Sequence, residues 1–253
     1  MAGAASQSLF HSSPRAAIRP SRASAIRAGG NNNNNNGKET GEIRVCTNRA
    51  CRKQGSFQTL EILTGIAPPS VSVNSSGCLG RCGAGPNVAV LPRGLIRNHC
   101  GTAAQAASLM CESIGASSAD VAKTLEAFTI RKRAEAEMEK GDFAEAEILL
   151  SRAIDLKPFG GLHIMLKFRS AARLGTGDYS GALEDAREAL ELAPRYPEAY
   201  LCEGDAFMAM EQYDAAEESY SICLQIEPSM RRSKSFKKRV SNLQEKLTAS
   251  EVP

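Results

Sequence analysis

The feature that most limits the folds open to this chain is a pattern that recurs three times in its second half. Pro158, Pro194 and Pro228 lie 36 and 34 residues apart, and similar residue types precede each of them. The residues five, twelve and fifteen positions before each proline are small, small and aromatic, in that order: Ala153, Ala189 and Cys223; Ala146, Ala182 and Ala216; Phe143, Tyr179 and Tyr213. A period of this length indicates a stack of similar units that share one continuous core.

These positions resemble those of the tetratricopeptide repeat (TPR) family, in which each unit is a pair of helices. The resemblance places three units at residues 127–160, 163–196 and 197–230. Small residues allow the paired helices to approach closely, the aromatic residue fills the gap at the turn, and the proline ends the second helix. We therefore predict an all-α TPR solenoid over residues 119–248, closed by a polar capping helix at 233–248.

TPR proteins bind peptides or partner proteins along the concave face of the solenoid, so the resemblance implies a protein partner. The best-known members hold the C-terminal carboxylate of a chaperone with a clamp of Lys, Asn, Asn, Lys and Arg. The aligned positions of this chain are Arg131, Glu135, Phe168, Glu198 and Cys202. Only Arg131 keeps the charge of the clamp, and Glu198 would repel a carboxylate. The resemblance therefore predicts no chaperone carboxylate clamp and a different protein partner.

The region before the repeats alternates between strand-like and helix-like patterns. Strands are predicted at residues 43–45, 71–73, 87–91 and 95–96, and helices at 50–65 and 102–114. The resulting order is βαβ followed by ββα, which indicates a small α/β domain of the thioredoxin-like type at residues 42–115. The predicted fold is thus an α/β thioredoxin-like domain followed by an all-α TPR solenoid.

Four of the eight cysteines fall in this region as two close pairs. Cys46 and Cys51 are spaced C-x4-C, and Cys78 and Cys82 are spaced C-x3-C after an interval of 26 residues. Paired thiolates on two loops can each hold one iron of a [2Fe–2S] cluster, and the glycines around the second pair allow N–H groups to point at sulfur. A four-cysteine zinc site, a dithiol site and a site that has lost its metal remain alternatives. His99 lies outside both loops and is predicted to be structural.

The residues around these pairs are V-C-T-N-R-A-C and G-C-L-G-R-C-G-A-G-P-N-V-A-V. They resemble the two ligand loops of the thioredoxin-like [2Fe–2S] ferredoxins and of the related small subunit of respiratory NADH dehydrogenase. The resemblance spans residues 42–112 and implies a bound [2Fe–2S] cluster, with zinc as the alternative cofactor. By this resemblance the cofactor-binding and metal ligands are Cys46, Cys51, Cys78 and Cys82.

The first 28 residues contain four arginines and no acidic residue, and they lack the continuous apolar segment of a secretory signal. They are typical of a plastid transit peptide with cleavage near Ala28, and residues 29–41 are predicted to be a disordered Asn-rich linker. Without these arginines, 27 basic residues remain against 28 acidic ones, so the body gives no general footprint for nucleic acid. We expect a chloroplast protein of the stroma, without a transmembrane segment, that can associate peripherally with thylakoids.

Together these features predict a protein that is not an enzyme, because the sequence shows no nucleophile–base set and no phosphate-binding loop. The predicted function is that of an iron–sulfur TPR protein that binds a plastid electron-transport or photosystem complex. There it would transfer an electron or sense redox state during assembly or regulation of that complex. The alternatives are an electron-transfer subunit of a plastid oxidoreductase and a metal-stabilised TPR scaffold without a redox role.

Overall fold

The computed structural model describes residues 41–250, which form a small α/β region followed by a stack of helices. The predicted transit peptide and all but the last residue of the predicted linker lie outside the described residues, so both stay predictions. Between residues 41 and 250 no helix has the combination of length and apolar character that crossing a bilayer requires.

The α/β region is built on a four-stranded sheet with the strand order β2-β1-β3-β4. The strands are β1 Gly41–Cys46, β2 Val71–Ser76, β3 Val88–Leu91 and β4 Leu95–Arg97. β1 pairs in parallel with β2 and antiparallel with β3, and β4 extends the sheet antiparallel to β3. Alternation along β1 places Ile43 and Val45 in the core, where both side chains are fully buried.

Three helices accompany this sheet: α1 Arg49–Lys53, α2 Ser56–Ile66 and α3 Ala103–Ile114. The sequence predicted one helix at residues 50–65, but two helices are present. Gly55 has a φ of +89°, and this left-handed conformation separates α1 from α2. Otherwise the elements follow the predicted order, and α3 comes after the last strand, β4.

The helical stack, within residues 119–250, contains seven α-helices and one 3₁₀ turn. They are α4 Ala119–Lys140, α5 Phe143–Asp155, α6 Leu162–Thr176, α7 Tyr179–Leu192, α8 Pro197–Ala209, α9 Tyr213–Ile226, the 3₁₀ turn Pro228–Arg232 and α10 Lys234–Ser250. Consecutive helices pack against each other, and α6 also contacts α4 and α8. The predicted helical solenoid is therefore confirmed.

The residues that marked the repeat in the sequence occupy the helix contacts. The small residues have no exposed surface: Ala146, Ala153, Ala182, Ala189, Ala216 and Cys223. Gly141 and Gly177 end α4 and α6 with φ values of +86° and +90°, and the following aspartates, Asp142 and Asp178, cap the next helices. In the third unit Glu211 takes the left-handed conformation, with a φ of +60°.

Helix α4 begins at Ala119, eight residues before the predicted first unit. The additional turns carry Val121 and Leu125, which pack on the core of the α/β region together with Phe128. The two regions are also joined through the α5–α6 loop, where the Gly161 amide donates to the Ala67 carbonyl at 3.1 Å. The α/β region is thus fixed against the first repeat and forms one wall of a groove on the stack.

Candidate functional site

A cavity of about 680 Å³ lies between the α/β region and the helical stack. One wall is the turn that joins α2 to β2, including Pro68 and Val71, and the opposite wall is formed by α6 and by the segment that leads into α8. We use the name inner groove for the side chains on and beside that opposite wall: Arg131, His163, Lys167, Tyr196 and Glu198. These side chains come from α4, α6, α8 and the N-cap residue of α8, and α6 contacts both α4 and α8.

Arg131 is a buried cation that the protein satisfies only in part. Its residue is 6% exposed, and its guanidinium lies over the rings of Phe128 and Phe168 at 5.0 and 5.8 Å from the centroids. Nη1 donates to Glu135 Oε1 at 2.5 Å. Nε is buried and has no hydrogen-bond partner among the described residues. Burial lowers the pKa of Arg131, although Glu135 opposes this effect, and the side chain stays charged.

Lys167 supplies a second cation to the inner groove. Its Nζ lies 3.3 Å from the centroid of the Phe168 ring, which is a cation–π contact. Burial lowers the pKa of Lys167, but Glu198 and Glu135 act in the opposite direction. Among residues 41–250 the ammonium group forms no ion pair or hydrogen bond, so it is sheltered from water without an anionic partner.

His163 and Tyr196 form the apolar side of the inner groove. Their rings meet edge to face with centroids 5.1 Å apart. Burial lowers the pKa of His163 to about 4, with a smaller contribution from Arg131, so the imidazole is neutral at pH 7. Its Nδ1 is buried without a partner among the described residues. The inner groove therefore contains two cations, the Glu198 carboxylate and a buried imidazole nitrogen that has no partner among the described residues.

The structure brings the five aligned clamp positions close to the groove. Arg131 contacts both Glu135 and Phe168, and Glu198 lines the cavity. The Cys202 thiol donates to the Lys167 carbonyl at 3.6 Å. Lys167 is not one of the aligned clamp positions, but it directly precedes Phe168 and places its ammonium group on the Phe168 ring. A scan for cations one residue to either side of each clamp position would have found it.

The second candidate site is the set of four cysteines in the α/β region. Cys46 ends β1 and Cys51 lies in α1, and both residues are 1% exposed. Cys78 and Cys82 are exposed on the loop between β2 and β3, with their sulfur atoms 3.3 Å apart. The structure thus gathers all four predicted residues at one end of the sheet, with one pair buried and the other facing solvent.

Backbone and side-chain amides hold this arrangement together. Asn87 is buried, and its Nδ2 donates to the Arg81 carbonyl at 2.7 Å and contacts Cys51 Sγ at 3.6 Å. A Cβ atom on Gly85 would lie 2.8 Å from Cys51 Sγ, so only glycine lets the loop approach the buried thiol this closely. The loop is therefore fixed over the buried pair by Asn87 and Gly85.

The surroundings of three of the four thiols shift their pKa values in different directions. The Gly80 amide donates to Cys78 Sγ at 3.4 Å, and this contact, followed by the contact with the Cys82 thiol, lowers the pKa of Cys78. The same contact with Cys78 raises the pKa of Cys82. Burial raises the pKa of Cys51.

The predicted [2Fe–2S] cluster and its zinc alternative were wrong. Among the described residues no group of three or more His, Cys, Asp or Glu side chains is arranged to hold a metal ion. Two thiolates on one tetrahedral ion at the usual metal–sulfur distance of 2.3 Å are about 3.8 Å apart. The 3.3 Å between Cys78 and Cys82 is shorter and corresponds to a contact between two thiol groups. Cysteine spacing located the thiols but did not determine their separations.

Comparisons with known proteins agree with the helical part of this fold. The tetratricopeptide-repeat family model matches residues 170–229. The chain is 34% identical over 88 residues to Protein STIP1 homolog of Dictyostelium discoideum. This aligned segment covers 35% of this chain and 15% of that protein. It is also 30% identical over 99 residues to Protein SGT1 homolog of Oryza sativa subsp. japonica. This second segment covers 39% of this chain and 26% of that protein. The match thus spans about a quarter or less of either relative.

Among solved structures, the chain is similar to the first TPR of Spaghetti (RPAP3) bound to the HSP90 peptide SRMEEVD. The likeness has a TM-score of 0.44 at 19% identity and covers 49% of this chain and 97% of that one. The family model confirms tetratricopeptide repeats over residues 170–229, within the helical domain predicted from the sequence.

The comparisons correct two further predictions. The curated relatives are STIP1 and SGT1 homologues rather than iron–sulfur proteins, so the predicted function of an iron–sulfur TPR protein that transfers electrons or senses redox state is wrong. The predicted absence of a chaperone carboxylate clamp and the predicted plastid partner are also wrong, since a similar TPR domain holds an HSP90 peptide. The aligned positions contain one cation, Arg131, and Lys167 brings a second one to the inner groove beside Phe168.

Proposed function

We propose that this chain is a TPR adaptor whose inner groove binds the acidic C-terminal peptide of a chaperone of the Hsp90 or Hsp70 class. The observation that carries the proposal is the pair of sheltered cations, Arg131 and Lys167, on neighbouring helices. Lys167 has no anionic partner among the described residues, and Arg131 keeps one N–H group unpaired.

Sheltered cations favour an anionic ligand strongly. A charged hydrogen bond contributes about 1.5–3 kcal/mol, and a buried donor left without a partner costs about 1–3 kcal/mol. A peptide carboxylate that enters the groove satisfies such groups without having to desolvate them first. Glu135 already neutralises part of Arg131, so Lys167 is the cation on which we expect affinity to depend most.

The size and lining of the cavity fit a short peptide segment. Its volume of about 680 Å³ lies in the range of sites that bind small ligands, roughly 300–1,000 Å³. Pro68, Val71 and Ile164 supply apolar walls beside the polar groove. A peptide such as SRMEEVD, which the similar RPAP3 domain binds, offers the matching groups: carboxylates next to one valine side chain.

The test is fluorescence anisotropy of an N-terminally labelled SRMEEVD peptide with the full chain. We expect saturable binding that weakens with salt, because the contacts are ionic. Amidation of the peptide C-terminus should weaken binding about tenfold if the terminal carboxylate contacts one cation, since 1.4 kcal/mol is a factor of ten. The variant Lys167→Met keeps the apolar stem and should also lose at least tenfold in affinity.

Arg152→Ala is the matched control, because Arg152 is an exposed cation on α5 whose nearest carboxylate, on Glu126, is 3.7 Å away. Its affinity should equal that of the unaltered chain. Equal affinity of Lys167→Met and the unaltered chain would refute the assignment of the groove. No binding of the carboxylate form at millimolar peptide would refute the proposed function itself.

For the α/β region we propose a thioredoxin-like fold over residues 42–115, separate from the TPR domain at 119–248. The support is the order of its elements and the sheet order β2-β1-β3-β4, with α3 packed after the last strand. The experimental structure of the chain tests this proposal by the position of α2 and α3 relative to the sheet.

A further inference from the structure

The outer edge of β2 is an open strand edge beside the inner groove. In the sheet, β2 has β1 on one side and, within residues 41–250, no strand on the other. Its register with β1 runs without a bulge from Val71 to Ser76, and this segment contains no charged residue and no proline. Exposed edges usually carry such features as protection against pairing with another chain. The opposite edge is protected, because β4 has only three residues and ends in Arg97.

The hydrogen bonds of the sheet indicate which main-chain groups of β2 face this edge. The Thr47 amide donates to the Ser76 carbonyl at 3.0 Å, so Ser76 directs its carbonyl group toward β1. Because alternate residues of a strand direct their main-chain groups to opposite sides, Val73 and Ser75 direct their N–H and C=O groups outward. Apart from the ladder of the sheet itself, no hydrogen bond within residues 41–250 involves these groups. Two donors and two acceptors are therefore available on the outer edge.

The first residues of β2 lie next to the cations of the inner groove. Val71 and Val73 line the cavity, whereas the later positions 74–76 are not part of its lining. A Cβ atom on Gly65, just before the end of α2, would lie 2.5 Å from Nη2 of Arg131, so this guanidinium is close to the turn that leads into β2. A peptide held by its C-terminal carboxylate at these cations therefore has its upstream residues along β2 and runs antiparallel to it.

We propose that the acidic peptide in the inner groove adds to β2 as a fifth, antiparallel strand of the sheet. The inference rests on the proposed function, which supplies the occupant: its carboxylates complement Arg131 and Lys167 at the start of the strand. One peptide residue exchanges two hydrogen bonds with Val73, and the peptide residue two positions earlier exchanges two with Ser75. These main-chain bonds supply affinity for any extended sequence, while the cations select the acidic end.

The first experiment measures binding of N-methylated SRMEEVD peptides to the unaltered full chain by fluorescence anisotropy. Each peptide carries one methyl group, on the amide nitrogen of its arginine, its methionine or its first glutamate, which removes that N–H donor. Because only alternate residues pair with β2, the effect at methionine should differ from the effect at its two neighbours. A paired position should lose about fivefold in affinity, and an unpaired one should lose none. Equal effects at all three positions would overturn the proposal.

The second experiment changes the strand edge itself. Ser75→Pro removes an outward N–H group and should weaken binding of SRMEEVD about fivefold. Ser75 is exposed, and proline is tolerated where the N–H group of an edge strand faces away from the sheet, so the variant should fold, which circular dichroism checks. Ser75→Ala keeps the N–H group and is the matched control, with unchanged affinity.

The two proposals fail in different ways. Equal affinity of Ser75→Pro and Ser75→Ala for SRMEEVD would overturn the strand addition and leave the proposed function standing, because the peptide still binds. No binding of SRMEEVD to the unaltered chain at millimolar peptide would refute both.

Discussion

Asp185 lies on α7 where this helix packs on α6 of the same helix pair, and its carboxylate is almost fully buried. Arg169 on α6 donates to it twice, from Nε to Oδ2 at 2.8 Å and from Nη2 to Oδ1 at 2.6 Å. Arg173 Nη1 lies 3.2 Å from the same Oδ2. The side chain of Asp185 is 3% exposed, whereas those of the two arginines are 16% and 20% exposed. One buried carboxylate is therefore the shared partner of two neighbouring cations.

Replacement Asp185→Asn keeps the shape of the side chain and removes its charge, so we expect a large loss of stability. Breaking a buried ion pair by removing one partner costs about 3–5 kcal/mol, because the remaining charge stays desolvated. Here the arginines reach some solvent, and Arg173 keeps its contacts with Glu147 at 2.9 Å and with the Gly181 carbonyl at 3.1 Å. The expected cost is therefore at the lower end, about 3 kcal/mol.

Thermal and urea denaturation followed by circular dichroism measure this loss. For a chain of about 150–250 residues, 3 kcal/mol corresponds to a decrease in Tm of roughly 6–12 °C. Glu184→Gln, one residue earlier on the exposed face of α7, is the matched control and should change stability by less than about 0.5 kcal/mol. A loss for Asp185→Asn no larger than that of the control would refute the reasoning.

Two further changes test the packing of the groove and of the repeats. Gly175→Ala should destabilise by about 1–3 kcal/mol, because its new Cβ would overlap the Phe143 ring, and Phe143→Leu in the same chain should recover part of this loss in urea denaturation. For His163, the folded pKa of about 4 lies below the unfolded value of 6.5, so the unfolded state binds more protons between these values and stability should fall as pH falls from 6.5 to 4. The full difference in pKa corresponds to about 3 kcal/mol. The variant His163→Gln should therefore lose this part of the pH dependence of Tm. If its Tm changed with pH as much as that of the unaltered chain, the role of His163 would be refuted.

Most of the secondary structure could be predicted from local patterns. The strands and helices of the α/β region and the paired helices of the repeats lie where alternation, glycine and proline indicated them. The single helix expected at residues 50–65 was an exception, because only the φ of Gly55 shows that the helix is interrupted. The helical region was expected from residue 119, where α4 begins, but the sequence did not reveal that Val121 and Leu125 in its first turns pack on the α/β core.

The candidate sites depended more on distances than on patterns. Spacing gathered Cys46, Cys51, Cys78 and Cys82 correctly, but the resemblance then assigned a cluster that the sulfur separations do not support. In the groove, alignment pointed to Phe168 and overlooked the adjacent Lys167, whose ammonium group lies on that ring. The function of a site depends on the distances between its side chains, and an alignment of residue types does not give those distances.

The sequence by itself determined the repeat, because small residues, aromatic residues and prolines at fixed spacing act locally on helix contacts and helix ends. It also determined which loops carry the thiols. Only the tertiary structure decided what these residues meet: it placed Arg131 and Lys167 in one sheltered groove and left the Cys78–Cys82 pair exposed above a buried pair. The physical reason is that burial, charge pairing and thiol reactivity depend on neighbours distant in the chain, which packing alone brings together.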